Sequence, residues 1–471
     1  MSRKKNKTHE LLSEVLVSDM AADGLALARV NDKVYFIEGA VPGDWVEAQV
    51  YRDKKRYAMA RMTRLLRPSP QRIPAACQHF EHCGGCKWQH LDYPSQLHYK
   101  GKQVYDALER LGKITLTEQV EVLGSAQQYH FRNKLEFTFS PNRWFTPEEL
   151  ADESMVKPQA GLGFHLPGRF DKVLHVDQCL LMDDRMNLIR QQLHQLAETH
   201  GLSRYNVREH HGFLRTLTIR HTSLDQWMVL LMVGENQDEN LELVLSSLAE
   251  SFPWINSLLY VINTKKNDTL YDQEVLVWRG SPVIEEQLED LRFEISAKSF
   301  FQTNSHQALE LYKLTREFAG LSGQEVVYDL YTGTGSIAQF VARNAKKVVG
   351  IEYVEAAVED ARKNAERNGI GNCSFFAGDM KSLLNNEFVA THGKPDVVIT
   401  DPPRAGMHAD VVAMLCDLGA PRIVYVSCNP ATQARDLDLM REHYRLVKYQ
   451  PVDMFPQTAH VENIALLEKI S

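Results

Sequence analysis

The spacing of apolar residues changes character along the chain. From about residue 11 to 67, short alternating runs such as "KVYFIEGAVPGDWVEAQVY", with Pro42-Gly43-Asp44 as a turn signal, predict the strands of a small β-barrel. The proline-rich "RPSPQRIP" (67–74) reads as a linker. Behind it, "PSQLHYKGKQVYDALERLG" puts Leu97, Val104, Leu108 and Leu111 on one face of a helix over about 93–112. From about 121 to 283 the rhythm is mostly that of strands. In "FRNKLEFTF", Phe131, Leu135, Phe137 and Phe139 alternate with Arg132, Lys134 and Glu136; "FLRTLTIRHT" and "WMVLLMV" repeat the signal, with one helix over 183–200. After about 293, "EVVYDLYTGTGSIAQFVARN", "KKVVGIEYVEAAVEDARKNAERNG" and "PDVVITDPPRAG" alternate β runs, glycine turns and helices, the pattern of a parallel α/β sheet. The expected division is a barrel (1–70), a β-rich central domain (71–290) and a Rossmann-like α/β domain (291–471).

In such a sheet, ligands sit beyond the carboxyl ends of the strands, so the residues that follow each β run carry the chemistry. Gly333-Thr334-Gly335 follows "VVYDLY" and lets the backbone approach a ligand. Glu352, at the end of "VVGIE", is placed to accept the hydroxyls of a ribose. The pair fits NAD and S-adenosylmethionine equally. Asp401 ends the next run in "TDPPRAG", where a turn forced by two prolines would explain the spacing without chemistry. Methylases of exocyclic amino groups prefer an aromatic residue after the prolines; here it is Arg404. "YVSCNPAT" puts Cys428 at the end of a β run on that same edge. Cysteine is commonly a small buried hydrophobe, but this position aims it at the ligand crevice. Downstream, "DMFPQTAHVEN" supplies Glu462, with His460 beside it.

Composition and charge narrow the class. At 471 residues with 44% hydrophobic and 24% charged residues, the chain is an ordinary soluble one of two to three domains. The polar, basic start "MSRKKNKTHE" lacks an apolar h-region and no eighteen apolar residues run together, so a cytoplasmic protein without membrane association is expected. The net charge of −8 hides an asymmetry: residues 1–72 hold 14 Lys and Arg against 9 Asp and Glu, leaving 39 against 52 in the rest. Cys77, Cys83 and Cys86 form a dense ligand cluster. No disulfide is expected in a reducing compartment, and Cys179 is the best candidate for a fourth thiolate. Spacing leaves zinc and an iron–sulfur cluster equally open. Cys373 and Cys416 read as ordinary buried residues.

"FFQTN" (300–304), "DLYTGTGSIA", "DPPRAG", "YVSCNPATQARD" and "DMFPQTAHVE" together resemble the uracil-5-methyltransferases of RNA, which transfer a methyl group from S-adenosylmethionine to C5 of uridine. Residues 11–67 resemble the TRAM RNA-binding barrel, which is OB-like, and "CQHFEHCGGCKWQHLDYPSQLHYK" resembles the segment typical of the ribosomal RNA branch. The resemblance implies a class I methyltransferase domain acting on 23S ribosomal RNA, with a transfer RNA T-loop methylase as the alternative within the family. It implies Cys428 as nucleophile at uracil C6 and Glu462 as the base that removes the C5 proton. By the same resemblance Gln302, Tyr331, Gly333, Ser336, Glu352 and Asp401 contact the cofactor, with Ser336 where relatives often carry asparagine. It also implies a [4Fe-4S] cluster on Cys77, Cys83, Cys86 and Cys179, and a helix at 93–112 that packs on the catalytic domain.

Arg404 is a candidate donor to the enolate oxygen. Arg132 and Lys134, with Arg52, Lys54, Lys55 and Arg56 of the barrel, are candidates for neutralising phosphates. The target base must leave its stack to meet both cysteine and cofactor. An NAD oxidoreductase would have no use for "SCNP" or "HVE", and a non-catalytic RNA-binding protein would not explain Cys428 with Glu462. A monomer is expected.

Overall fold

The computed structural model describes residues 10–470. Six strands between Leu11 and Arg67 form a coiled sheet in which Trp45–Asp53 and Tyr57–Arg67 pair as the long central hairpin. Its interior is filled by Ala26, Ala28, Ala48, Ala58 and Ala60, all fully buried. Small residues allow the tight curvature of a small barrel. Residues 52 and 54–56, at the tip of that hairpin, are exposed and keep the basic character expected of them.

The eight-stranded sheet of the middle region centres on Leu214–His221 and Trp227–Val233. The strand from Trp227 to Val233 is buried along its whole length because both faces are covered. Trp227, Val229, Leu231 and Val233 pack under the helices at Asp184–Thr199 and Asp238–Ser251. Met228, Leu230 and Met232 face the other way, into a core shared with the C-terminal sheet. The hairpin Val283–Leu288/Leu291–Ser296 adds Ile284, Phe293 and Ile295 to that core. The division expected near 290 falls in the turn of this hairpin.

The C-terminal sheet has seven strands: β1 (Val326–Leu330), β2 (Lys347–Glu352), β3 (Cys373–Ala377), β4 (Val397–Thr400), β5 (Arg422–Ser427), β6 (Tyr444–Val452) and β7 (Glu462–Lys469). Their spatial order is β3-β2-β1-β4-β5-β7-β6; the first five are parallel, and β7 runs antiparallel to both β5 and β6. The strand order reverses beside β1, so the crevice at the carboxyl ends lies over β1 and β4.

Five helices matter for the site: α1 (Tyr93–Arg110), α2 (Asp184–Thr199), α3 (Ser305–Ala319), α4 (Ser336–Ala342) and α5 (Pro430–Met440). The chain places α1 against α5, so a segment early in sequence becomes part of the C-terminal layer. Its helical face differs from the expected one. Val104 and Leu108 are buried as anticipated, but Leu111 lies past the helix end and is 50% exposed. The face is completed by polar residues, Gln96 and Lys100, which the apolar pattern could not reveal. No described helix is long and apolar enough to cross a membrane.

Lys100 has no solvent exposure. Its ammonium donates to Asp453 Oδ1 at 2.5 Å and to the Phe455 carbonyl at 3.0 Å. Tyr93 donates its hydroxyl to Asp453 Oδ2 at 2.9 Å, so both carboxylate oxygens are used. Burial pulls the Lys100 ammonium below its ordinary range, opposed by the charge of Asp453. Removing one partner of such a pair leaves a buried uncompensated charge. Lys100→Met is expected to cost about 3–5 kcal/mol of stability. The double variant Lys100→Met/Asp453→Leu is expected to recover much of it. Urea unfolding followed by near-UV circular dichroism measures both, and an unchanged single variant would contradict the role given to this pair.

Candidate active site and cysteine cluster

Strand β1 ends at Leu330, and the chain then turns through Tyr331 (φ +61°), Gly333 (φ +55°) and Gly335 (φ +74°) into α4. The two glycines serve different ends. A Cβ on Gly335 would meet the Phe375 ring at 2.8 Å and Ala361 at 2.9 Å, so this glycine lets α4 pack closely. A Cβ on Gly333 would meet nothing within 4 Å, so this glycine faces open space where a ligand can approach the backbone. Glu352, ending β2, accepts the Gly333 N–H at 3.1 Å and the Val354 N–H at 3.0 Å. Those bonds fix its carboxylate beside the turn. Ser336 opens α4, with its hydroxyl 2.9 Å from that of Tyr312 on α3. Gln302 lies in the loop before α3, where its carbonyl accepts from Asn133 at 3.1 Å.

Asp401 follows β4 and Cys428 follows β5, on the same edge. Glu462 reaches that edge by a different route. Strand β7 is antiparallel to β5, with Ser427 opposite Asn463, so the start of β7 lies beside the end of β5. The register sets Glu462 next to Cys428 although 34 residues separate them.

Burial pushes Asp401 up to about 7 and Glu462, at 8% exposure, up to about 8, with Asp401 adding to the latter. A third carboxyl, Asp329 on β1, is raised to about 7 by burial and accepts the hydroxyl of Thr332. All three act on the Tyr312 hydroxyl, which places them around one space. Three desolvated carboxyls and Glu352 at one edge make a site for a cation. Cys428 is half-buried. Its thiol is pushed up to about 11 by burial, then by Glu462 and Asp401, with Arg404 opposing.

Cys428 opens onto a cavity of 640 Å³. One wall comes from barrel residues 19–23, one from residues 84–87 of the cysteine loop, one from α1, and the floor from Arg404 and 428–431. Arg404 reaches Asp23 at 3.3 Å, while its carbonyl accepts from Asn429 at 3.1 Å and Thr432 at 3.2 Å. His460 lines the same space. Asp329, Tyr312 and the barrel turn at 19–23 are absent from the sequence-based set. Only Asp329 had a legible signal, as an acid one residue before the end of a buried β run. Arg132 and Lys134 are half-buried rather than open on a polar face, because residue 132 is bridged to Met182 and residue 133 bonds to Thr303. Glu136 of that strand stays exposed.

The four cysteines converge from two loops. Cys77 precedes a single helical turn, Phe80–Cys83, and Cys86 follows it; Cys179 precedes α2. Asp177 holds the loops together: its N–H donates to His79 Nε2 at 3.0 Å and its carboxylate accepts from Gln78 at 3.1 Å. Cys83 and Cys179 pack on one apolar patch of Leu166, Leu174 and Val176. All four are free thiols, and they act on one another electrostatically. Burial pushes Cys86 up to about 12 and Cys179 to about 11. Among the described residues no three His, Cys, Asp or Glu side chains are gathered to hold one metal ion. A zinc site would need its sulfurs roughly 3.8 Å apart, from Zn–S bonds near 2.3 Å.

The charge of the crevice has a measurable consequence. A cation stabilises carboxylates and lowers their pKa, so protons leave as it binds. S-adenosylmethionine, with its sulfonium, is expected to release protons near neutral pH from groups that ionise at about 7 to 8. S-adenosylhomocysteine, which lacks the sulfonium, is expected to release fewer. Calorimetry in two buffers of different ionisation enthalpy measures the difference, and equal release by both ligands would contradict the cation-site reading.

The tRNA (uracil-5-)-methyltransferase family model matches residues 93–470, and the TRAM domain model matches 13–63. An uncharacterized RNA methyltransferase of Bacteroides thetaiotaomicron is 53% identical over 452 residues, covering 95% of this chain and 100% of that protein. One from Chlorobaculum tepidum is 41% identical, covering 97% and 96%. The crystal structure of Pyrococcus abyssi tRNA (uracil-54, C5)-methyltransferase in complex with S-adenosyl-L-homocysteine superposes with a TM-score of 0.74 at 28% identity, covering 96% of this chain and 99% of its own. The chain belongs to the tRNA (uracil-5-)-methyltransferase family and is an S-adenosylmethionine-dependent RNA uracil-C5 methyltransferase with an N-terminal TRAM domain.

Proposed function

We propose that this enzyme methylates C5 of a specific uridine, in 23S ribosomal RNA, through a covalent bond between Cys428 and C6 of the base. The observation that carries this reading is the β5/β7 register, which sets Glu462 beside Cys428, a residue that lines the cavity. Uracil C5 is too weak a nucleophile to take a sulfonium methyl directly. Addition of the Cys428 thiolate at C6 makes the ring an enolate, and C5 then attacks the methyl carbon while the sulfonium becomes a neutral thioether. Glu462 takes the C5 proton, the C6–S bond breaks, and the 5,6 double bond returns with the thiolate released.

The electrostatics support this order of events. Positive charge in the crevice favours both the Cys428 thiolate and ionised Glu462. Once the methyl has gone, that charge is gone too. The proton affinity of Glu462 rises again at the moment it must act as base. Arg404, at the cavity floor, is placed to donate to the enolate oxygen. Gln302, Tyr331, Gly333, Ser336, Glu352 and Asp401 are assigned to the cofactor, with Glu352 at its ribose hydroxyls.

We assign Cys77, Cys83, Cys86 and Cys179 to a [4Fe-4S] cluster. Four free thiols that act on one another, in a segment that resembles the ribosomal RNA branch, support this assignment. When bound, it would tie the loop at 77–86 to Cys179 and so fix one wall of the cavity. The choice of RNA has two readings. The cysteine segment resembles the ribosomal RNA branch. The Pyrococcus enzyme, whose name gives a tRNA substrate, covers 96% of this chain, so the barrel does not discriminate between the two.

Adduct trapping tests the mechanism and names the RNA. With S-adenosylmethionine and total RNA carrying 5-fluorouridine, the C5 fluorine cannot leave as a proton, and wild type is expected to accumulate a covalent RNA–protein species. Cys428→Ala is expected to form none. Glu462→Gln is expected to trap unmodified RNA in the same way, with turnover down by about 10²–10⁴-fold. Ribosomal RNA in the adduct supports the first reading and transfer RNA the second. An adduct that persists in Cys428→Ala overturns the assignment of the nucleophile.

A further inference from the structure

Arg190 on α2 is 1% exposed, yet most of its charge-bearing group has no visible partner. Nη2 donates to the Asp177 carbonyl at 2.7 Å, while Nε and Nη1 are buried with no hydrogen-bond acceptor. A buried guanidinium left in that state is strongly unfavourable, so the site calls for an anion. The fold shows where that anion lies. Asn187, one turn earlier on α2, accepts the Cys179 N–H at 2.9 Å and donates to the Cys179 carbonyl at 3.3 Å. The face of α2 carrying Asn187 and Arg190 therefore lies under Cys179. The acidic groups near enough to act on Arg190 are Asp177 and, when ionised, Cys179. The Asp177 carboxylate is largely exposed and already accepts from Gln78.

A second arginine is paired to the segment just after Cys179: the Arg132 N–H donates to the Leu181 carbonyl at 2.8 Å. Arg132, half-buried, donates Nε to the Lys134 carbonyl at 3.2 Å, and its charge acts on Cys179 and Cys86. It also acts on His460, which lines the reaction cavity. Arg132 is thus near the cysteines as well as His460. An oxidised [4Fe-4S] core with four thiolates is a dianion, and two guanidiniums neutralise it.

We propose that Arg190 and Arg132 are the paired counter-charges of the four-cysteine site, Arg190 offering its two free N–H groups to the sulfurs from the α2 side and Arg132 compensating from the segment paired just after Cys179. This rests on the cluster reading above. Positive charge beside a cluster favours its reduced form and shields it from loss.

The test uses the full chain reconstituted anaerobically, with three readouts: iron and sulfide per chain, the midpoint potential of the cluster, and the rate at which its visible absorbance bleaches in air. Arg190→Met and Arg132→Met are each expected to shift the potential to more negative values and to bleach several-fold faster. Arg190→Lys, which keeps the charge but not the planar fork, is expected to hold the potential near that of wild type while still bleaching faster. Loss of the cluster from Arg190→Met with a native circular dichroism spectrum also supports the proposal. If Arg190→Met does not fold, Arg132→Met and Arg190→Lys carry the test. Unchanged potential and bleaching at full iron content overturn the inference and leave the cluster standing. A wild type that takes up zinc and no iron or sulfide overturns the cluster reading, and the inference with it.

Discussion

The Lys100–Asp453 pair is the constraint on which the arrangement of the site depends. Burying an ammonium and a carboxylate together is tolerated only when every remaining lone pair and proton is used, and here Tyr93, the Phe455 carbonyl and the Phe455 N–H complete the set. The pair anchors the connection between β6 and β7 to α1. Gln96 on the same helix exchanges two side-chain and backbone bonds with Gln457, both at 3.0 Å. The Gln457 carbonyl then accepts the N–H groups of Lys87 and Trp88, just beyond the cysteine loop. Two residues on, Ala459 enters the barrel core beside Trp88 and Leu91. One connection of about ten residues therefore touches the helix, the cysteine segment and the barrel, and it delivers Glu462 to the crevice.

Charge at the crevice follows a single logic. Parallel strands deliver their carboxyl ends to one edge, and this chain ends β1, β2 and β4 with or beside an acid. Burial then makes Asp329 and Asp401 poor anions alone and good partners for a cation. The same field that welcomes a sulfonium holds the Cys428 thiol protonated in its absence. Arg404 and the N-terminus of α5, where Asn429 caps Ala431, oppose that field from the other side of the sulfur.

The cysteine site shows the opposite arrangement. There two guanidiniums, those of Arg190 and Arg132, lie near the thiols. Arg132 is withdrawn from solvent because its backbone is paired with Leu181 and Met182, next to Cys179.

Sequence alone was sufficient for the β-run endings. The period of apolar residues identifies a barrel, a middle sheet and an α/β sheet, and the rule that ligands lie beyond parallel strands picks out Gly333, Glu352, Asp401 and Cys428 without a structure. Resemblance to a known family supplied the role proposed for Glu462, which has no periodic signal of its own, whereas Cys179 was picked out as the best candidate for the thiolate that Cys77, Cys83 and Cys86 lack. What only the tertiary structure decided are the facts that need two distant segments at once. The antiparallel pairing of β5 and β7 sets Cys428 beside Glu462. The burial of Lys100 is invisible in a pattern that counts lysine as a surface residue, because its partner is 353 positions away. Leu111 looks like part of an apolar stripe until the helix stops at Arg110 and leaves it in water. Arg190 reads as one charge on an amphipathic helix until packing seals it under Cys179. Local pattern reports which residues prefer to be inside, whereas pairing and charge compensation depend on what the fold brings opposite them.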